Sequence, residues 1–374
     1  MNNKISYLMT CILACGVSTT SFANSSEGTE FKRFSVSAGW LKGMPQGKAN
    51  PFVNLTPIDG TYQVGEVNLN TVTGVIAKNE LGEQKKANLL SVVNSGRQIN
   101  IVKGDVLSPG MSGDVTINSL DRFVSPDTGL EAESVNTLGL LFNYHVTDNW
   151  SLEIKAGLPP EVDIKGKGFI DAPLNGVATP VGRLTGGFLE QIANTQITGI
   201  GDIPLEANIP ITSLTQSKYA SSARAWLPAA EIHYQFGRSG VNKFRPYVGV
   251  GVIFAYFDKV KIDSGIEADL IQAGHMIQNI LDDKAGASLE RLSSSADPVV
   301  KVKTSTTLAP IATLGATFDF NQNWFAVGSV SYSKMNNTAE IYVNDKNTGK
   351  NLIRSSTKID IDPLITYVGI GYRF

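Results

Sequence analysis

The sequence predicts an all-β chain, an eight-stranded antiparallel transmembrane β-barrel with long extracellular loops and short periplasmic turns. Three observations carry that expectation. The closing stretch, Leu364 to Phe374, alternates with period two, placing Leu364, Val368, Ile370, Tyr372 and Phe374 on one face and Ile365, Tyr367, Gly369, Gly371 and Arg373 on the other. A barrel needs such a last strand to pair with its first and remove the open edges. The chain opens on a secretory signal, and the segments between candidate strands alternate long and short.

At the N-terminus, Lys4 supplies a positive region, Ile5 to Val17 an apolar one, and Ser21-Phe22-Ala23 a small-x-small site, so residues 1–23 read as a signal peptide cleaved after Ala23. Leu13-Ala14-Cys15-Gly16 offers a rival, lipidation at Cys15. Both cysteines, Cys11 and Cys15, fall in this segment, so disulfides do not hold the mature chain together. With 32 Lys+Arg against 34 Asp+Glu, there is no basic excess to support a nucleic-acid partner. Beyond the signal, no window offers the roughly 18 consecutive apolar residues of a membrane helix. A secreted soluble β protein or a transmembrane barrel remains.

The first strand is expected from Arg33 to Leu41, with Phe34, Val36, Ala38 and Trp40 opposite Ser35, Ser37 and Gly39. A Gly-, Asn- and Thr-rich tract over about 42–133 reads as a large loop with room for hairpins of its own, with weak alternating runs at Tyr62 to Val67 and Gln98 to Val102. The second strand sets Leu138, Leu140, Phe142 and Tyr144 against Gly139, Asn143 and His145. After a turn at Thr147-Asp148-Asn149, the third sets Leu152, Ile154, Ala156 and Leu158 against Ser151, Glu153, Lys155 and Gly157. Charged residues alternating with aliphatics mean one apolar side and one wet or paired side. A second loop over about 161–222 carries Leu184, Phe188, Leu189 and Ile192 at helical spacing.

Strands four and five are expected over Arg224 to Phe236 and Phe244 to Phe257, joined by a brief turn. A third excursion, about 258–306, contains an amphipathic helix with Ile266, Leu270, Ile277 and Leu281 on one stripe. Leu308 to Phe320 and Trp324 to Ser333 form strands six and seven around Asn321-Gln322-Asn323, and a fourth loop, about 336–357, precedes the closing strand. The connections thus run long, short, long, short, long, short, long, the rhythm of an outer-membrane barrel with both chain ends on the short-turn side. A soluble sandwich has no reason to sort its loops this way. Tyr144, Trp150, Tyr234, Phe236, Phe320, Trp324, Tyr372 and Phe374 gather at the short-turn ends as an interfacial girdle.

At this point the chain resembles the outer-membrane protein W family (OmpW). The resemblance rests on Leu138 to Trp150, the strand Leu152 to Pro160, Leu227-Pro228 with Tyr234-Gln235-Phe236, the run Phe244-Arg245-Pro246-Tyr247-Val248-Gly249-Val250-Gly251, and the end Gly369-Ile370-Gly371-Tyr372-Arg373-Phe374. It covers the strands and departs in the loops, of which the first two are much longer than is usual in that family. The resemblance implies a barrel of the bacterial outer membrane that passes small hydrophobic molecules, with no catalytic residues. The closing spacing Tyr367-x-Gly369-x-x-Tyr372-x-Phe374 also looks like the signal read by the barrel-assembly machinery. Outer-membrane lipid is the surrounding partner.

Eight strands enclose a lumen that side chains fill, or that holds one small ligand. With odd strands running outward, Leu41, Leu141, Leu227, Ile253, Phe257, Ile311 and Ile365 face an apolar outer half, the candidate ligand-binding set for a small hydrophobic solute. Glu153, Lys155, Glu231, His233, Asp319 and Arg373 face a polar inner half, the candidate plug, together with Asn143, His145 and Gln235. Buried charges should pair, Glu153 or Glu231 with Lys155 or Arg373. A ligand stopped by this plug needs a sideways exit. Pro159, Pro160 and Pro228, on neighbouring strands, mark a candidate lateral gate, because proline donates no ladder hydrogen bond.

Two other functions compete. An enzyme finds no Gly-x-Ser-x-Gly, Cys-x-x-Cys or His-Glu-x-x-His motif, and no cofactor or metal is expected. A triad would also require a serine within about 3 Å of a histidine nitrogen. The long first loop alternatively suits a surface adhesin or receptor that contacts a host or phage partner.

Overall fold

The computed structural model describes residues 31–374, and residues 33–374 form one compact unit. The signal segment expected over residues 1–23 lies outside the described residues. Eight antiparallel strands close into a barrel: β1 (Phe34–Met44), β2 (Val135–His145), β3 (Trp150–Gly157), β4 (Ala229–Gln235), β5 (Phe244–Ile262), β6 (Thr307–Asp319), β7 (Trp324–Ser333) and β8 (Leu364–Arg373). Each pairs with its sequence neighbour, and β8 returns to β1 from Ser35↔Arg373 to Met44↔Leu364.

The period-two reading of these strands holds in three dimensions. On β8, Ile365, Tyr367 and Arg373 are buried while Val368, Ile370 and Phe374 are exposed; on β1, Ser35 and Ser37 point inward and Phe34 and Trp40 outward. An apolar exterior around a polar interior is what lipid demands of a barrel wall. Among the described residues no helix is long and apolar enough to cross a membrane. The aromatic ends pack in groups along the short-turn rim: Phe34 on Tyr144 and Phe374, with Tyr372 joining Trp324 to Phe374, and separately Trp150 on Tyr234. One close approach dictates glycine. Gly39 faces Gly369 across the closing seam, and a Cβ on Gly39 would meet the Val368 carbonyl oxygen at 2.2 Å.

The four expected loops are instead a folded extracellular extension. Above the barrel mouth, Ser221–Trp226, Glu161–Lys167 and Gly129–Ala132 continue the barrel sheet outward from β5, which runs on to Ile262 rather than ending near Phe257. A four-stranded sheet runs in the order Ile203–Ser213, Phe169–Thr179, Asp114–Asn118, Gly60–Gln63. A five-stranded sheet has the order Pro298–Thr304, Asn336–Asp345, Asn351–Asp360, Phe52–Leu55, Arg122–Ser125. The last loop is therefore mostly a hairpin. In the first, Gln98 ends a helix, so the alternation at Gln98 to Val102 is not a strand.

Three longer helices accompany these sheets: α1 (Glu80–Gln98), α2 (Phe188–Gly199) and α3 (Ser264–Leu281). Helix α3 fits its sequence pattern. Asp263 caps it by accepting hydrogen bonds from the N–H groups of Gly265 and Ile266 at 3.0 and 3.2 Å; Ile266, Leu270 and Ile277 of the expected stripe are buried, Leu281 is only half-buried, and Ile280 is buried beside it. Helix α2 corrects its pattern: Leu184 precedes it, Phe188, Leu189 and Ile192 are exposed, and the buried positions are Ala193 and Ile197. One large apolar core runs from the upper barrel through the extension, joining Ile253, Ile311 and Ile365 to α3 and both added sheets.

Candidate functional site

The lower lumen is built by inward positions of adjacent strands. Glu153 and Glu231 are placed opposite each other by the β3–β4 register, and Lys155 lies two positions along. The Lys155 ammonium sits 2.5 Å from Glu231 Oε1 and 3.7 Å from Glu153 Oε1, and donates to Thr313 Oγ1 and Ser331 Oγ at 2.9 Å each. His233 Nε2 lies 3.2 Å from Glu231 Oε2, its ring stacks 4.8 Å from that of Tyr247, and Asn143 donates to Glu153 at 2.9 Å. These charges are all but removed from water, which makes pairing obligatory. The expected pairing of Lys155 therefore holds with both glutamates.

Arg373 belongs to a separate lower tier. It donates to Asp319 at 2.8 Å and lies 4.3 Å from the Phe325 ring centre, rather than pairing with either glutamate. Sequence reasoning missed Arg245, 1% exposed, which donates to the backbone carbonyls of Asp148 and Phe236 at 2.5 and 3.4 Å and so ties two short turns together. Its signal was present: Arg245 and Tyr247 are the inward alternates of the Pro246, Val248, Val250 face. Between the tiers lies a polar cavity of about 30 Å³, bordered by His145, Glu153, His233 and Arg373.

The seven apolar candidates divide. Leu227, Ile253, Phe257, Ile311 and Ile365 belong to or pack on the large core. Leu141 instead joins Tyr247, Phe325, Val327 and Tyr367 in a small cluster beside the polar cavity, and Leu41 touches both groups. Phe257 also borders an apolar cavity of about 70 Å³ between the outward continuation of the barrel sheet and the five-stranded sheet, with Val162, Ile164, Ala223 and Ile262. A larger apolar cavity, about 130 Å³, lies between the added sheets and α3.

The three prolines meet at one place. The β3–β4 ladder runs from Trp150↔Tyr234 to Lys155↔Ala229 and then stops. Pairing resumes above, where the Ala225 N–H donates to the Pro160 carbonyl at 2.9 Å and Glu161 faces Arg224. Ala156 to Pro159 and Trp226 to Pro228 flank the interval. Their outer neighbours hold them: the Leu158 N–H bonds to the Leu138 carbonyl at 3.0 Å, and the Pro228 carbonyl accepts from Phe254 N–H at 2.9 Å. The interrupted seam is thus confined to one strand pair, directly below the strands that wall the cavity beside Phe257.

Glu153, Glu231 and His233 bring ligand atoms within 4.8 Å of one another, yet the Lys155 ammonium already takes the position between the carboxylates. Among the described residues, a serine comes within 3.0 Å of a histidine nitrogen at His275 Nδ1 and Ser294 Oγ. The same Nδ1 receives the Ser294 N–H at 3.2 Å, and Ser294 Oγ receives the Ala296 N–H at 3.3 Å, so the contact closes the chain against α3.

Comparison with known proteins agrees with the resemblance seen in the sequence. The OmpW family model matches residues 288–374. Outer membrane protein W of Vibrio cholerae is 23% identical over 288 residues, covering 76% of this chain and 96% of that protein. Among solved structures, OprG from Pseudomonas aeruginosa aligns with a TM-score of 0.46 at 13% identity, over 94% of this chain and 99% of its own. The Escherichia coli Outer Membrane Protein W aligns with a TM-score of 0.32 at 15% identity, over 93% of this chain and all of its own.

Proposed function

From the premise that the chain is an OmpW-like eight-stranded barrel of the bacterial outer membrane, we propose that it admits small hydrophobic molecules at its outer end and releases them sideways into the membrane. The observation that carries this reading is the interrupted β3–β4 seam, which lies directly below the strands Glu161–Lys167 and Ser221–Trp226 that wall an apolar cavity. A solute entering from outside meets apolar surface at the mouth and in the upper lumen. Below it stands a desolvated ion cluster that an apolar molecule cannot solvate. The lower-energy exit is through the wall, where the β3–β4 ladder is unmade between Lys155↔Ala229 and the bond from Ala225 N–H to the Pro160 carbonyl, an interval that holds Pro159 and Pro228.

In this reading Leu41, Leu227, Ile253, Phe257, Ile311 and Ile365 form the apolar passage, with Leu141 at its floor. The chain binds and conducts without catalysis. The hydrophobic solute and membrane lipid are its functional partners, and Tyr372 to Phe374 are the handle for the assembly machinery. The test replaces Pro159, Pro160 and Pro228 with valine, allowing the ladder to close, and follows transfer of N-phenylnaphthylamine into the membrane of cells carrying the barrel. Transfer should fall several-fold with barrel amounts unchanged. Unchanged transfer would remove the lateral exit from the account.

A further inference from the structure

We infer that the extracellular extension contains a ligand site of its own, separate from the barrel passage: a dry pocket for one neutral, apolar molecule about the size of a substituted benzene. The site is the cavity of about 130 Å³ between the four-stranded sheet and α3. Protein interiors leave few voids larger than a water molecule, so a void of this size inside an otherwise buried core calls for an occupant. Apolar cavities near this volume stay dry and take up benzene-like guests.

The sheet beneath it shows where core packing stops. On the inner face of the strands Phe169–Thr179 and Ile203–Ser213, Ala178, Ile203 and Leu205 are buried. Along the same face Ala172, Leu174, Ile209 and Ile211 are only half-buried, although all four line the cavity and pack against the core. The surface left uncovered is the pocket floor, and α3 forms its roof through Leu270, Ala273, Met276 and Ile277. Met111 and Met276 both line it, and their unbranched thioethers adapt readily to a guest of irregular shape.

The few polar side chains on the wall define the chemistry of the guest. Asn54 donates to Ser125 and accepts from Ser355 at 2.6 Å, Thr56 donates to the Leu120 carbonyl at 2.9 Å, and Ser112 donates to the Gly65 carbonyl at 2.5 Å. Asn54, Thr56, Ser112 and Ser355 are engaged with the protein, Ser288 adds one further hydroxyl to the wall, and no charged side chain lines the pocket. A guest needing a counter-ion would find none, and one needing hydrogen bonds would find at most the Ser288 hydroxyl, whereas a hydrocarbon-like ring loses little by entering.

The inference is independent of release through the barrel wall, and the experiment keeps the two apart. The full-length chain in lipid nanodiscs is irradiated with 3-phenyl-3-(trifluoromethyl)diazirine, a benzene-sized photoreactive probe, and the adducts are mapped by peptide mass spectrometry. The expected result is labelling of the segments carrying Met111, Leu174 and Met276, reduced at least several-fold by excess toluene. Ala273→Trp, which fills the pocket, should abolish that labelling while leaving label on lipid-facing strands. Should Ala273→Trp fail to fold, the milder Leu174→Phe is to reduce labelling in the same segments. Label confined to lipid-facing residues, or pocket label that toluene and the filling variants leave unchanged, overturns the inference. Loss of membrane transfer with intact pocket labelling would count against the barrel passage alone.

Discussion

Replacing Lys155 with methionine removes one ammonium and keeps most of its packing volume. The distances set the scale. At an effective dielectric of about 20, attraction to Glu231 at 2.5 Å is roughly 6–7 kcal/mol and to Glu153 at 3.7 Å roughly 4–5 kcal/mol. The ligand atoms of the two glutamates lie within 4.8 Å of each other, a repulsion of at least roughly 3 kcal/mol on the same scale. Desolvation of the lysine offsets much of the attraction, so the net loss should be the about 3–5 kcal/mol typical of a broken buried ion pair. The assay is urea unfolding of the detergent-folded barrel, read by its heat-modifiable mobility. The triple variant Lys155→Met, Glu153→Gln, Glu231→Gln should recover most of the loss, because it leaves no uncompensated charge. If Lys155→Met cost less than about 1 kcal/mol, or the triple variant were no better than the single, the cluster would not be the paired, desolvated plug described above.

Arg245→Met should cost about 2–3 kcal/mol in the same assay and loosen the turns at Asp148 and Phe236, since charge-assisted hydrogen bonds to their carbonyls are lost. Amide exchange in those turns checks it. In the extracellular hairpin, hydrogen bonds from the Thr348 hydroxyl and from the N–H groups of Asp297, Asn347 and Thr348 hold the Asp345 carboxyl down at about 2, below its ordinary value of 3.8. A group depressed on folding stabilises the native form above its unfolded value and loses that contribution as pH falls through the folded one. Protection of the Asn347 and Thr348 amides should therefore be flat at neutral pH and decline between about pH 4 and 2, whereas Asp345→Asn should remove the dependence. Gly39→Val should block barrel closure, because the added side chain collides with the backbone of β8. Failure to show the folded, heat-modifiable species is the expected outcome.

The barrel was legible because a wall with lipid on one side and a filled lumen on the other imposes strict alternation on every strand. Glu153, Lys155, Glu231 and His233 stood out as polar residues on inward positions, and the structure brings them together. The pairing of Arg373 was not legible, because barrel shear decides which inward residues share a level, and one sequence carries no record of that stagger. The extension escaped for a different reason. Its strand Phe52–Leu55 spans four residues and pairs Val53 with Ser356, across most of the chain. Helix α1 buries only Gly82, Leu89, Val93 and Gly96, a stripe too thin to announce itself against its polar residues. Short strands with distant partners and a weakly amphipathic helix both resemble a polar loop. The stripe Phe188, Leu189 and Ile192 did announce a helix, but its buried side proved to be Ala193 and Ile197.

Lateral release stands or falls on whether the β3–β4 seam must remain unlaced. Ala156 and Pro228 are the first residues beyond Lys155↔Ala229 on the two strands, both on the lipid-facing alternation. With no other cysteine after residue 15, the pair Ala156→Cys and Pro228→Cys can staple the seam. The decisive measurement is transfer of N-phenylnaphthylamine through the stapled barrel under oxidising and reducing conditions. The account predicts that transfer is lost when the disulfide forms and returns when it is reduced. Equal transfer in both states, with the disulfide verified, would contradict it.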